Sequence, residues 1–445
     1  MRKVLCSIVL MIGAARSTFA EPVRSLTMDQ ALAELDAQNL SLAEAKSRVL
    51  QAQASVGQAS SQLLPTVGLA GGYVRNSDEA KVALGAILGP ILQAINQQLP
   101  AEMPGTLYIQ PLGAWSVSGS VKLPLLVPQG WADRAAAKHG VEAATASVAA
   151  LRLQLRAGFV QASWAAAAAE DILAASERAV TTAKEHRETA ARMVAVGEAA
   201  QLSVLRADTE LVRRESDLVR ARAELDRARL ALGVLLGKSE PVRVLPLPGP
   251  AAAPASNDLL VSEAFGHRPE IASNQARIRR AQSEALSARL RWAPQISGSA
   301  TAFASDMPYP TGKKDGWRLT LDASWAIFDG GYRSSRRAQA EAEGAGALAA
   351  AEAARVSIAQ EVADAGRDVG VAVERLRLAE RQVSFASEAA ASAKRTFEGG
   401  VAGSLDVLDA NDRLYQAEVG LADARGRLGI ARAALAKSLG RESGW

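Results

Sequence analysis

Two spacings of apolar residues alternate along this chain, and each recurs. One is a period of seven. Val204, Leu211, Leu218, Leu225 and Leu232 follow it, and so do Val407, Leu414, Leu421, Leu428 and Leu435. A sustained seven-residue period keeps one seam facing a partner only if the helices supercoil left-handed, so both runs predict coiled coil. The other is a period of two. Trp115, Val117, Val121 and Leu123 alternate with Ser116, Ser118, Ser120 and Lys122. Trp317, Leu319, Leu321, Ala323 and Trp325 alternate with Arg318, Thr320, Asp322 and Ser324. This is the signature of a strand with one apolar and one polar face. Partner strands with smaller residues and weaker alternation are expected over 66–74 and 295–303. Each run is about 9 to 11 residues, the length of a tilted strand that crosses a bilayer. A soluble hairpin with one wet face would alternate in the same way.

Between the strands lie alanine-rich segments with helical spacing. Those at 131–196 and 332–398 are each about 66 residues, or about 100 Å at the α-helical rise. Four more, at 27–63, 201–236, 258–292 and 404–439, are each about half that length. Two half staves end to end match one full stave, as in a wall of long helices beside stacked short ones. The pattern is duplicated. Residues 31–73 align without gaps on 260–302, with Pro65 on Pro294 and Glu34 on Glu263. Residues 152–237 align on 355–440, with Gly197 on Gly400, Val204 on Val407 and Arg222 on Arg425. The organisation is a tandem repeat of class α+β. The first copy covers 21–237 and the second 258–445. Between them, 238–257 is a linker rich in proline, with Pro241, Pro246, Pro248, Pro250 and Pro254.

The N-terminus sets the compartment. Arg2 and Lys3 precede an apolar run over 4–15, and Thr18-Phe19-Ala20 follows it. A signal peptide is expected over 1–20, with the mature chain starting at Glu21. The one cysteine, Cys6, lies inside that segment and too early to carry a lipid, so no disulfide framework is expected. Without Arg2, Lys3 and Arg16, the 51 basic residues fall to 48 against 47 acidic. The basic pI of 9.2 therefore belongs to the precursor, and no nucleic-acid partner is expected. No apolar run of helical membrane length follows the signal, so any crossing must be a β-barrel. His139, His186 and His267 are scattered, and the glycines of 68–72 fall in a strand. No catalytic, cofactor or metal site is expected. Residues 76–114 have no counterpart of equal length in the second copy. With an apolar piece over 86–95, they read either as an external loop that folds over a mouth or as a disordered loop.

Particular motifs carry a family resemblance. Trp325-Ala326-Ile327-Phe328-Asp329-Gly330-Gly331 resembles the passage from barrel strand to long helix in TolC-like proteins. Gly399-Gly400-Val401-Ala402-Gly403-Ser404-Leu405-Asp406-Val407-Leu408-Asp409-Ala410, continuing to Leu414-Tyr415, resembles the helix turn of the second TolC repeat. Arg268-Pro269-Glu270-Ile271 and Leu64-Pro65 are similar to further landmarks, so that the resemblance covers 21–440. Four strands cannot close a barrel, and open edges are excluded from lipid. Two, three or four chains would each give an even strand count. The resemblance implies three, hence a homotrimer with a twelve-stranded outer-membrane barrel continuous with a long periplasmic coiled-coil barrel.

The resemblance also implies a role: the outer-membrane channel-tunnel of a tripartite efflux or type I secretion system. Such a duct is a passive, cofactor-free conduit. It receives cargo from a proton- or ATP-driven inner-membrane transporter through a periplasmic adaptor. The turns at Gly197, Gly399, Gly400 and Gly403 are then the periplasmic tips where the adaptor docks. Asp406 and Asp409 align with paired aspartates that ring the TolC entrance, and their spacing puts them on one helix face. Both also lie in the first turns of a helix that starts near Ser404, where acids complement the helix dipole. The ring and helix-start readings therefore stand side by side. One departure is clear. Where TolC holds its entrance with a bonded arginine, tyrosine and aspartate, this chain has Ala402, Phe397 and Ser203. Arg192 and Arg395, near the two tips, are candidates to hold it instead. A soluble periplasmic coiled-coil adaptor or scaffold would share the signal peptide and the heptads, but not four strands of lipid length. The sequence names no cargo, whether drug, metal or protein.

Overall fold

The computed structural model describes residues 24–95, 106–245, 256–307 and 313–442. The expected signal peptide and the middle of the 238–257 linker lie outside them. In chain order the elements are β1 (Arg24–Thr27), α1 (Met28–Gln38), α2 (Leu40–Ser61), β2 (Thr66–Arg75), β3 (Ala80–Ala83), α3 (Leu84–Ala94), β4 (Thr106–Gln110), β5 (Gly113–Leu126), α4 (Pro128–Ala195), α5 (Gln201–Leu235), β6 (Val242–Leu245), α6 (Asn257–His267), α7 (Pro269–Leu290), β7 (Gln295–Ser305), β8 (Asp315–Ser324), α8 (Tyr332–Glu398) and α9 (Ser404–Ser438). Two compact units form. One joins Met1–Glu44, Ala149–Arg268 and Val356–Trp445; the other joins Ala45–Val148 and Pro269–Arg355. Each unit takes segments from both sequence repeats.

The second unit holds a four-stranded antiparallel sheet in the order β2-β5-β7-β8. Its helical part packs through small residues and short polar links. Ser147 and Ser273 hydroxyls meet at 3.1 Å between α4 and α7. The Ser287 hydroxyl donates to Asp133 at 2.5 Å, and Arg279 pairs with Glu142 at 2.9 Å. The described part of the 76–114 connection contains a strand pair and a short helix. β3 pairs antiparallel with β4, and α3 lies between them in sequence.

The first unit is dominated by helices. Its core gathers Leu26, Leu32 and Leu35 from the N-terminal elements, Phe159 and Val160 from α4, Leu232 and Leu236 from the α5 end, and Ala433 from α9. Helix α9 approaches α4 closely because it presents glycine there. A Cβ on Gly429 would lie 2.0 Å from the Trp164 ring, and one on Gly426 would lie 2.7 Å from Ala168.

Two departures from the sequence expectation have clear causes. The helix expected over 27–63 is broken at Asn39, whose backbone turns extended at φ −65°, ψ 123°. Asn39 fits the break because its side chain accepts from Leu42 N–H at 3.1 Å and donates to Leu235 O at 3.0 Å. The helix expected over 258–292 breaks at the repeat-equivalent Arg268, at φ −70°, ψ 123°. There Pro269 follows, and a residue before proline is pushed out of the helical region. The other unforeseen feature is a parallel pair, β1 with β6, which places a strand inside the expected linker. Four residues per strand are too few for alternation to register. Burial of Leu26, Val242 and Val244 in the core holds the pair in place.

Candidate functional site

The register of the sheet sorts its residues onto two faces. Val67, Leu69 and Tyr73 of β2 stand with Val121, Gly119 and Trp115 of β5. The same row continues through Ala300, Ala302 and Ala304 of β7 and then Trp317, Leu319 and Leu321 of β8. Apart from Arg75 and Asp315, at the end of the sheet beside the inter-strand connections, every residue of that face is apolar or glycine. The opposite face carries Ser116, Ser118, Ser120, Lys122, Ser297, Ser299, Thr301, Arg318, Thr320 and Asp322. Phe303 and Val74 are large apolar residues there, and Arg318 lies over the Phe303 ring at 5.8 Å.

The apolar face has no cover: Leu69 is 83% exposed and Leu321 72%. The outer strands β2 and β8 each have one unpaired edge within the chain. Aromatic side chains mark both ends of the face. Tyr73, Trp115 and Trp317 lie beside the inter-strand connections. Trp325 lies at the helical end, donating its indole N–H to Trp292 O at 3.0 Å. Trp317 and Trp325 are separated by about 27 Å of strand, which matches a tilted crossing of the hydrocarbon layer.

The helix turns form the second candidate surface, and the two repeats build them alike. After α4, Gly197 adopts φ 81°, and after α8, Gly400 adopts φ 73°. Glu198 N–H bonds Met193 O at 2.8 Å, and Val401 N–H bonds Thr396 O at 2.9 Å. These are Schellman ends, in which glycine takes the left-handed position without a Cβ penalty. Gly399 still closes a helical bond to Arg395 O at 3.1 Å. Gly403 opens α9 and donates its N–H to the Asp406 carboxylate at 2.9 Å. Between the turns, Met193, Phe397 and Val407 form a small apolar cluster.

The sequence matches the outer membrane efflux protein family over residues 31–238 and 260–441. The chain belongs to that family. It is 29% identical to outer membrane protein OprJ of Pseudomonas aeruginosa over 226 residues, 48% of this chain and 46% of OprJ. It is 30% identical to CyaE of Bordetella pertussis over 211 residues, 46% of this chain and 44% of CyaE. The alignments thus span about half the length of these relatives. The fold is similar to that of the outer membrane protein VceC of Vibrio cholerae. The TM-score is 0.76 at 21% identity, covering 93% of this chain and 96% of VceC. As a member of the outer membrane efflux protein family, the chain resides in the outer membrane.

Within this efflux-family frame, each expected site residue has a definite place. None of the ten heptad residues is exposed in one chain. Leu225, Leu232, Val407 and Leu428 are buried, and Val204, Leu211, Leu218, Leu414, Leu421 and Leu435 are half-buried. Asp406 and Asp409 are both exposed. Asp406 is occupied as the acceptor for Gly403, and Asp409 pairs with Arg413 one turn on at 3.0 Å. Of the clamp positions, Phe397 is buried, and Ser203 and Ala402 are half-buried. The Phe397 ring contributes apolar contact instead of a bond. Arg192 donates to the Thr189 hydroxyl at 2.9 Å, and Arg395 is exposed.

Two residues near the tips carry more than their sequence context promised. Arg214 of α5 is only 3% exposed. It contacts Glu210 at 2.6 Å, Asp217 at 3.4 Å and Asp412 of α9, and it lies 4.4 Å over the Tyr415 ring. Burial would lower its pKa, but the hydrogen bond to Asp412 and the charge of Glu210 raise it, so the guanidinium stays charged. His186 of α4 is buried, with Nε2 3.0 Å from the Ser404 hydroxyl and its ring 5.2 Å from Phe397. Burial pushes its pKa below the ordinary value. Both residues sit where helical spacing calls for an apolar side chain. Arg214 lies seven residues from the buried Ala207 and Ala221, and His186 lies between the buried Ala183 and Ala190. A polar residue in such a row is the signal that would have marked them.

Proposed function

We propose that the chain is one protomer of an outer-membrane duct in a tripartite export system. Three copies would close a twelve-stranded barrel, with the apolar faces to lipid and the serine-rich faces to the lumen. The duct carries out no chemistry. Cargo arrives from an energised inner-membrane transporter through a periplasmic adaptor that docks at the turns of Gly197 and of Gly399, Gly400 and Gly403. Asp406 and Asp409 would line the periplasmic entrance. The observation that carries this reading is the sheet. One face is apolar except for Arg75 and Asp315 at its end and is uncovered, the other is hydroxyl-rich, and both edges lack partners in a single chain. A soluble adaptor would have to leave that face in water, where it would aggregate. Two measurements test the reading. Native mass of the detergent-extracted protein should be three times that of the mature chain. The same particles should give discrete conductance steps in a planar bilayer. A monomer that stays soluble without detergent, or trimers that never conduct, would defeat it.

A further inference from the structure

On the hydroxyl-rich face of the sheet, only Lys122, Arg318 and Asp322 are charged among the described residues. The register puts them at separate levels. Arg318 stands in a row with Thr301, Ser120 and Gly68. Lys122 stands in the next row toward the helices, with Thr66, Ser299 and Thr320. Asp322 comes one row further on, with Ser297 and Pro124. Successive rows on one face are two residues apart, about 7 Å. The carboxylate is therefore about 13 Å along the strand from Arg318.

Both cations are open. Each is exposed, and among the described residues neither pairs with a carboxylate. Arg318 lies instead over the Phe303 ring, its guanidinium carbon 5.8 Å from the ring centre. That ring in turn crosses Gly316, where a Cβ would come within 2.9 Å of it. An aromatic face holds a guanidinium in place without neutralising its charge. The face therefore carries two positive charges and one negative per chain. The two positive rows lie toward the inter-strand connections, and the negative row lies toward the helices. Low-dielectric walls lined by one sign of charge focus their field into the space they enclose.

From this arrangement we infer that Arg318 and Lys122 form an anion-favouring stretch of the barrel lumen. It concentrates small solutes with two or more negative charges, such as phosphates and polycarboxylates. The hydroxyls of Thr301, Ser299 and Thr320, between or beside the two cations, can donate to the same anions. The inference rests on the duct reading, which turns this face to the lumen. Its sign is opposite to that of Asp406 and Asp409 at the helix turns, so the ion selectivity of the whole duct mixes the two and a local probe separates them.

Thiol labelling inside the lumen tests it. Thr301 stands directly opposite Arg318 and diagonal to Lys122. With Cys6 replaced by serine, Thr301→Cys in the membrane-reconstituted protein is exposed to an anionic and to a cationic thiosulfonate, and each rate is divided by that reagent's rate on a free thiol. At about 0.01 M salt, where the screening length is about 30 Å, the anionic reagent should react several-fold faster. At about 1 M salt, where it is about 3 Å, the two rates should converge. At matched ionic strength, pyrophosphate should slow the anionic reagent more than chloride does. Arg318→Gln with Lys122→Gln should bring the ratio to one or below, because Asp322 is then the charge that remains. Arg318→Lys keeps the charge and should keep the ratio. Equal rates in the parent at low salt, or a ratio unchanged in the double variant, would overturn the inference and leave the duct reading standing. Pyrophosphate no better than chloride would overturn the preference for multivalent anions. A thiol that neither reagent reaches in a native trimer would overturn both readings, because the face would then not line water.

Discussion

Replacing Arg214 should loosen the tip region more than any other single polar change. Its side chain is 4% exposed, while its carboxylate partners Glu210, Asp217 and Asp412 are 16%, 19% and 24% exposed. Breaking a fully buried ion pair costs about 3 to 5 kcal/mol, because the remaining charge is left desolvated. Here the acids keep some water, so Arg214→Met should cost less, about 2 to 3 kcal/mol. The methionine also restores part of the packing against Tyr415. Asp412→Asn leaves Arg214 with Glu210 and Asp217 and should cost about 1 kcal/mol. The double variant should be less destabilised than the sum of the singles, with a coupling of about 1 kcal/mol. Denaturant melts of the helical circular dichroism signal, in one detergent for all four proteins, measure this directly. The reasoning fails if Arg214→Met is as stable as the parent, or if the two singles simply add.

Other expectations can be checked on the same material. Leu421→Asp would place a charge in the half-buried α9 seam and should lower stability by about 2 to 3 kcal/mol, seen as early loss of the trimer on heating. Asp406→Ala with Asp409→Ala should lower cation selectivity in planar bilayers and remove block by a compact trivalent cation. The accompanying stability loss should stay near 1 kcal/mol, the worth of an exposed helix-start acid. Unchanged selectivity with a clear loss of stability would make the pair helix-start residues alone. His186 supplies a pH test. Its pKa is lowered by burial from an ordinary value of 6.5, so below that pH the unfolded chain takes up a proton more readily than the folded one. Stability should therefore fall as pH drops through 6.5 and level off below the folded pKa. His186→Gln should flatten that part of the melting-temperature profile, and an identical profile would remove His186 as the cause.

The fold was largely legible because its determinants are periodic. The seven-residue leucines and the two-residue alternation around Trp115 and Trp317 are long enough to rise above chance, and duplication reports each one twice. Helix α8 ends at Glu398 as its sequence implied, because a glycine that can go left-handed follows two residues later. What escaped was short or tertiary in origin. The β1–β6 pair has four residues per strand and depends on a core assembled from distant helices. The break at Asn39 has no proline to announce it, although its repeat equivalent before Pro269 does. At the candidate tips, the positions of the turns were legible from glycines, but the Arg214 cluster was not. Its partner Asp412 is 198 residues away, and no local pattern couples α5 to α9 at that depth.

The central claim is that the four-stranded sheet is the wall of a water-filled pore, and side-chain surroundings along β8 test it most directly. Nitroxide labels placed singly at Leu319, Thr320, Leu321 and Asp322 in the membrane-reconstituted protein report collisions with oxygen, which concentrates in lipid, and with a polar nickel chelate, which stays in water. The account predicts strict alternation, with Leu319 and Leu321 exposed to oxygen and Thr320 and Asp322 exposed to the chelate. Equal exposure of all four labels to the chelate, as on a soluble sheet, would contradict it.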